Sequence, residues 1–362
     1  MKSEQSPLRE VMMTNGGVLG KQHGREAVTS FGDVPAEYSA LTNGCGLVDV
    51  SDRSRIQAAG KDRASFLHNI CSNDVKSLAP GDGCEAFFLD AKGHVLGHVV
   101  VRASEESILL ETSGGQAELL IGHLDRYVIM EQVELTDVAA ASDLLLVAGP
   151  RSRALLAELV KDALPSGRLA SAETEISGVP VVVGCSEIEY AEAGHADSAE
   201  SLGFTLTCSR ENVADIWNAL RESGAKPCGR QSLEIVRVES GFPLYGVDVT
   251  DKNLPQEVAR NEQAISLTKG CYIGQETVAR IDALGHVNRA LAGLRFESSD
   301  PPPAGTELQA EGKTVGQVTS SAWSPRLEAS AALGYVRRGF TTPGVQLQSA
   351  AGPAEVVGFP IR

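Results

Sequence analysis

Apolar and polar positions along the chain change period several times, and Gly/Pro-rich turns mark most of the changes. The segment "DVPAEYSALTNGCG" predicts a helix: Asp33 can cap it, Pro35 suits its first turn, and Asn43-Gly44 stops it. "SRIQAAG" alternates like a strand, and "KDRASFLHNI" carries Phe66, Leu67 and Ile70 as a helical stripe. A "PGDG" turn then leads into "CEAFFLD", the turn "AKG", "HVLGHVVVR", "ASEE" and "SILLET", a meander of short strands. "GGQAELLIGHLDRYV" returns to helical spacing through Leu119, Leu120, Leu124 and Val128.

The same order of elements then recurs. "DLLLVAG" predicts a strand, "PRSRALLAELVKDAL" a helix, and "VPVVVGCS" and "LGFTLTC" two more strands. "RENVADIWNALRESG" predicts a helix with Val213, Ile216, Trp217 and Leu220 on one face and Gly224 beyond its end. Two strand-helix-strand-strand-helix blocks imply two α+β layers of ferredoxin-like type. After residue 286, short strands between Gly/Pro turns imply a small β-barrel. The acidic stretch "EIEYAEAGHADSAE" at 187–200 is expected on the surface, solvated.

Composition narrows the function classes. A 362-residue chain with 42% hydrophobic and 22% charged residues is ordinary globular material of two or three domains. The net charge of −15 argues against direct nucleic-acid binding, which favours a clustered basic excess. No N-terminal run suits a signal peptide and none approaches a membrane span, so a cytoplasmic protein is expected. The cysteines at 45, 71, 84, 185, 208, 228 and 271 show no metal-ligand spacing and no disulfide framework, so no metal site is expected. Six read as small apolar fillers in a reducing compartment.

Two stretches carry candidate chemistry: "RVESGFPLYGVDV" and "LTKGCYIGQETVARI". In the first, Arg237 and Glu239 form either a charge pair at a helix end or a ligand-facing pair. In the second, Cys271 stands after Lys269-Gly270 and shortly before a helix start at Gly274, where a thiolate is expected to be stabilised. The bland alternatives are an inert buried cysteine, and a helix start at which Gln275 and Glu276 are favourable anyway. Elsewhere, "SGGQAELL" lacks the Lys-Ser/Thr of a phosphate loop, and His94 and His98 on a strand lie too far apart for one ion.

These stretches, with "GLVDVSDRSRIQAAGKDRASFLHN", "NDVKSLAPGDG", "LLVAGP" and "GQVTSSAWSPRLEASAALGYV", resemble the glycine-cleavage T-protein superfamily of aminomethyltransferases over nearly all of residues 40–340. "KGCYIGQE" resembles its folate-binding YgfZ branch, to which the mitochondrial iron-sulfur assembly factors of the superfamily are similar.

The resemblance implies an α+β fold: two ferredoxin-like domains and a C-terminal β-barrel around a central hole that binds tetrahydrofolate. The division it implies is residues 1–52 with 139–285, residues 53–138, and residues 286–362. It implies that Glu239 meets the pterin donor pair with two hydrogen bonds, with Arg237 beside it. Tyr272, Gln275 and Lys269 are implied to be further folate contacts, and Cys271 a redox-sensitive or metal-touching sulfur. One thiol does not hold an iron-sulfur cluster alone, so a cluster contact would need a partner.

The leading expectation is therefore a tetrahydrofolate-binding accessory protein of iron-sulfur assembly or repair. Its partners are folate and iron-sulfur client or carrier proteins, and its effect on tRNA modification is indirect. The rival is a tetrahydrofolate-dependent aminomethyltransferase or demethylase; a folate-binding scaffold without thiol chemistry is the third. Against the rival, Gly97 and His98 in "AKGHVLGHVVV" occupy positions where T-proteins carry an acidic pair. His98 can move a proton near neutral pH, but it does not stabilise a developing cation as a carboxylate does.

Overall fold

A computed structural model of the chain describes residues 7–23, 25–186 and 203–362, so the acidic stretch at 187–200 lies outside the described residues. The first sheet is six-stranded in the order Ser171–Ile176, Val179–Cys185, Gly203–Ser209, Ser142–Ala148, Gly46–Asp49 and Lys226–Pro227. It is antiparallel except for the last pair.

The strand Ser142–Ala148 shows why "LLLVA" is apolar without interruption. Successive side chains point to opposite faces of a sheet, and here both faces are covered. Leu145 and Val147 pack with Leu8, Leu156, Trp217 and Leu220 from the helices Pro7–Thr14, Ser152–Leu159 and Val213–Glu222. Leu144 and Leu146 face the other way, toward Tyr38, Leu233, Val236 and, from the barrel, Leu333.

The second sheet is five-stranded and antiparallel, in the order Gly83–Leu89, Val95–Ala103, Ser107–Thr112, Ser54–Ala59 and Glu134–Asp137. The helices Arg63–Ile70 and Ala117–Leu124 supply Phe66, Leu67, Leu120 and Leu124 to its core. The expected stripe needs two corrections: Val128 lies in extended backbone beyond the helix, and Leu119 is 69% exposed. It stands about 100° round the helix from the buried Leu120, and His123 takes its place on the inner face.

The barrel is closed: Arg289–Phe296, Ala329–Arg337, Lys313–Ser324, Glu307–Ala310, Gln346–Ser349, Gly352–Val357 and back to the first. Closure leaves no unpaired edge on these short strands. Two helix-on-sheet layers and a barrel are thus the architecture that the hydrophobic pattern implied. The helix Pro7–Thr14, the hairpin Val18–Gln22/Arg25–Ser30 and the strands Glu134–Asp137 and Ser171–Ile176 were not anticipated.

The helix Arg230–Ser240 lies between these parts. It packs on the helix Val34–Asn43 and on the barrel strand Lys313–Ser324. The helix Val34–Asn43 begins as expected, with Asp33 Oδ1 accepting from the Ala36 amide at 3.0 Å.

Candidate functional site

A cavity of about 300 Å³ opens between the N-terminal hairpin, the second sheet and the helix Arg230–Ser240. His98, Val100, Glu111 and Thr112 come from the sheet, Leu233, Glu234 and Arg237 from the helix, and Phe242 to Val247 from the loop after it. Gln22, His23, Arg25 and Ala27 of the hairpin form the remaining side. Every lining residue falls between 22 and 247, so the barrel supports this wall without contributing to it.

The helix delivers a preset carboxylate. Arg237 is buried and grips Glu234 with two bonds, Nη2 to Oε1 at 2.6 Å and Nε to Oε2 at 2.8 Å. Its remaining nitrogen, Nη1, donates to Asp248 Oδ2 at 2.8 Å and to the Phe242 carbonyl at 2.6 Å. This planar fork fixes both the loop and the acid. Burial alone would push Glu234 up, but the Arg237 charge and hydrogen bonds prevail and hold it at about 2. His23 Nε2 lies 3.2 Å from the same carboxylate.

A second polar centre sits behind the opposite wall. Glu85 stands in the apolar run of the strand Gly83–Leu89 and has no solvent exposure. His98 Nε2 lies 3.0 Å from its Oε2, Arg168 Nη2 donates to Oε1 at 2.6 Å, and Arg260 Nε donates to Oε2 at 3.1 Å. Burial works against ionisation of Glu85, yet His98 and Arg260 outweigh it and keep this acid far below the usual carboxylate range. The imidazole packs against Phe87 and Phe242, with ring centroids at 5.0 and 5.5 Å. Arg260 also lies over the Phe242 ring at 5.3 Å. His98 is thus held by two rings and at one nitrogen while it lines the cavity.

Glu111, also on the wall, is buried and accepts from Arg53 Nη1 at 2.6 Å. Burial opposes its charge, but Arg53 and Arg102 hold it below the usual range. The side-chain carbonyl of Gln116 is buried at the wall with no hydrogen-bond partner. A buried acceptor without a donor is a position where a ligand N–H is favoured.

The anticipated site residues fall into separate places. Glu239 is buried but off the cavity wall: Tyr38 Oη donates to its two oxygens at 3.0 and 2.9 Å, and Ser324 Oγ and Arg326 complete its partners. Arg237 therefore holds Glu234 and not Glu239. Residues two apart on a helix point about 200° apart, whereas residues 234 and 237 share a face.

Lys269 does not attend Cys271. Its ammonium donates to the carbonyls of Cys71 at 2.7 Å and Asn73 at 3.0 Å, as well as to that of His68. It thereby closes the C-terminal turn of the helix Arg63–Ile70 and covers the Tyr272 ring at 4.9 Å. Tyr272 packs in a cluster with Phe87, Leu89, Val95 and Val278. Gln275 begins the helix Gln275–Leu284, off the cavity wall. Cys271 is exposed and also off the wall, while the other six cysteines are buried.

Gly274 has a packing reason. Its backbone φ is +83°, and a Cβ there would come within 2.8 Å of the Asp90 carbonyl and 3.1 Å of Gly93 Cα. Thr277 Oγ1 adds a bond to the Lys92 carbonyl at 2.8 Å, so the motif is latched to the turn at 90–93.

Glu85, Glu111, Glu234 and Gln116 were not singled out from the sequence. Glu85 carried a usable signal, a charge within an otherwise apolar strand run, and Glu234 stands one helical turn before Arg237.

Comparison with known proteins bears on this arrangement. Residues 8–269 match the GCVT N-terminal domain, and residues 289–361 match the glycine cleavage T-protein C-terminal barrel domain. The chain is 26% identical over 352 residues to an aminomethyltransferase of Nostoc sp., covering 93% of this chain and 90% of the relative. It is 28% identical over 358 residues to an aminomethyltransferase of Symbiobacterium thermophilum, with 95% and 92% covered. A chloroplastic protein of Arabidopsis thaliana with a provisional transferase name is 29% identical over 327 residues, 88% of this chain and 71% of the relative. The crystal structure of glycine cleavage system aminomethyltransferase T from Bartonella henselae shares the fold. It has a TM-score of 0.86 at 20% identity and covers 99% of this chain and 98% of that one.

Proposed function

The chain belongs to the glycine cleavage T-protein family, and from that premise we propose that it binds a reduced folate in the cavity and serves one-carbon transfer. The observation that carries this reading is the pairing of Glu234, preset by Arg237, with His98, preset by Glu85, on the walls of one cavity.

The residues present fit a reduced pterin. Glu234 is ionised and oriented, as the adjacent N–H donors of a pterin edge require. Gln116 offers a buried acceptor without a partner, and Tyr245 offers aromatic surface. On this reading Glu234 takes the role that the family resemblance implied for Glu239. Bound tetrahydrofolate would supply the amine nitrogens that accept the one-carbon unit.

The chain's own residues then orient and exchange protons. Arg237 keeps Glu234 charged and aimed. Glu85 orients His98 through Nε2 and leaves Nδ1 as the nitrogen for proton exchange in the cavity. No carboxylate stands at residue 97 or 98, so charge developing on a donor would be met by the electrostatics of Glu111 instead.

A second reading is favoured by one observation: Cys271 is exposed within "KGCYIGQE" while the other cysteines are buried. It is the YgfZ-type role, an accessory to iron-sulfur assembly in which folate binding occurs without transfer.

A single-turnover assay separates the two. The protein is given tetrahydrofolate and an aminomethyl-lipoyl carrier, and folate binding and methylene-tetrahydrofolate are followed together. Product that disappears in His98→Ala supports transfer; binding with no product in the parent protein supports the accessory role. Failure to bind any reduced folate would overturn both.

A further inference from the structure

The cationic side chains on the cavity wall are not equivalent. Arg53 is paired with Glu111, Arg230 with Asp52, and Arg237 with Glu234 and Asp248. Arg25 is on the same wall, is exposed, and makes no ion pair among the described residues. Its head rests against backbone. The guanidinium lies across the Gly114–Gly115 backbone, where a Cβ on Gly115 would come within 1.8 Å of Arg25 Nη2 and one on Gly114 within 2.7 Å of Nη1. Gly115, with a backbone φ of +77°, leaves room for the guanidinium, whereas a Cβ on Gly114 would first meet the Asp52 carbonyl, at 2.3 Å.

Resting on the folate reading above, we infer that Arg25 is a specificity residue: it holds the carboxylate-bearing tail of the ligand at the cavity mouth. Glu234, held by Arg237 and beside His23 on the same wall, suits a donor-rich ring. The exposed end offers an unpaired planar fork, which suits a carboxylate. A ligand with a neutral, donor-rich head and an anionic tail would meet Glu234 with the one and Arg25 with the other. A glutamyl tail has the required chemistry, and added glutamates would supply further carboxylates near the same cation.

The test measures equilibrium binding of the full chain to tetrahydrofolate and to tetrahydropteroate, which has the same head without the glutamate, by anaerobic calorimetry. The expected result is about tenfold tighter binding of tetrahydrofolate, a preference that shrinks with added salt. Arg25→Gln should erase the preference by weakening tetrahydrofolate alone, and Arg25→Lys should keep part of it. Equal weakening of both ligands by Arg25→Gln would overturn the inference, since it would make Arg25 a mere wall. Equal binding of both by the parent protein would also overturn it, while leaving the folate reading intact. Binding of neither ligand by the parent protein would remove the folate reading and the inference together.

Discussion

The hydroxyl of Tyr38 donates to both oxygens of Glu239, at 3.0 and 2.9 Å, and so ties the helix Val34–Asn43 to the helix Arg230–Ser240. Ser324 and Arg326 reach the same carboxylate from the barrel side, and Arg326 Nη2 also donates to the Ile361 carbonyl at 2.7 Å. Glu239 is thus a joint between the first sheet's helices and the barrel.

This joint makes Tyr38→Phe a stability variant. The loss of a buried hydroxyl from a charged acceptor is expected to cost about 2 kcal/mol, read from urea unfolding. Reduced-folate affinity should remain within twofold for Tyr38→Phe, because Glu239 is off the cavity wall. A large loss of affinity with unchanged stability would return the pterin role to Glu239.

Glu234 predicts an acid limb. Its folded pKa of about 2 lies below the ordinary value near 4.3, so the unfolded chain binds its proton first. The stabilisation is therefore complete above about pH 4.5 and is lost as pH falls toward 2, on the order of 3 kcal/mol in all. Glu85 and Glu111 are depressed as well and add to the same limb. Urea unfolding of Glu234→Gln between pH 3 and 7 should show lower stability at pH 7 and a shallower acid slope. An unchanged slope would mean that Arg237 does not set Glu234 as the geometry indicates.

Much of the architecture was legible because local chemistry and tertiary context agree. Asp33 caps where a capping residue stands before Pro35, and the apolar run at residues 144–147 is a strand covered on both faces. The site was less legible. On the helix Arg230–Ser240 nearly every residue from 232 to 240 is buried, so no periodicity marks the side that meets the cavity. The hairpin Val18–Gln22/Arg25–Ser30 is short and mixed in polarity, so its alternation is weak. Lys269 misled for another reason: a lysine two residues from a cysteine has a long stem, and here the stem runs to the carbonyls that end another helix.

Gly274→Ala tests the latch between the "KGCYIGQE" segment and the turn at 90–93. A left-handed backbone and a Cβ within 2.8 Å of a carbonyl both oppose a side chain there. The expected loss is about 2–3 kcal/mol, measured by denaturant unfolding. Gly285→Ala, which also has a positive φ but nothing within 4 Å of its Cβ, is the control. It should cost about 1 kcal/mol from backbone conformation alone. Equal losses would show that the contact with Asp90 and Gly93 adds nothing.

Thiol accessibility tests where Cys271 stands. Burial pushes the thiol of Cys45 up to about 11 and those of Cys84, Cys208 and Cys228 to about 12, and it raises Cys71 as well. Thiolate and access are both needed for alkylation, so these sulfurs are protected twice over. Iodoacetamide at pH 8 should therefore modify a single site per native chain. Peptide mass spectrometry should assign it to Cys271, and the other six should react only in denaturant. The alkylated protein should bind reduced folate as the unmodified one does, because Cys271 is off the cavity wall. A competing ligand effect, in which folate slows the alkylation or alkylation blocks folate, would instead bring the thiol and the cavity together and make the sulfur part of the folate site.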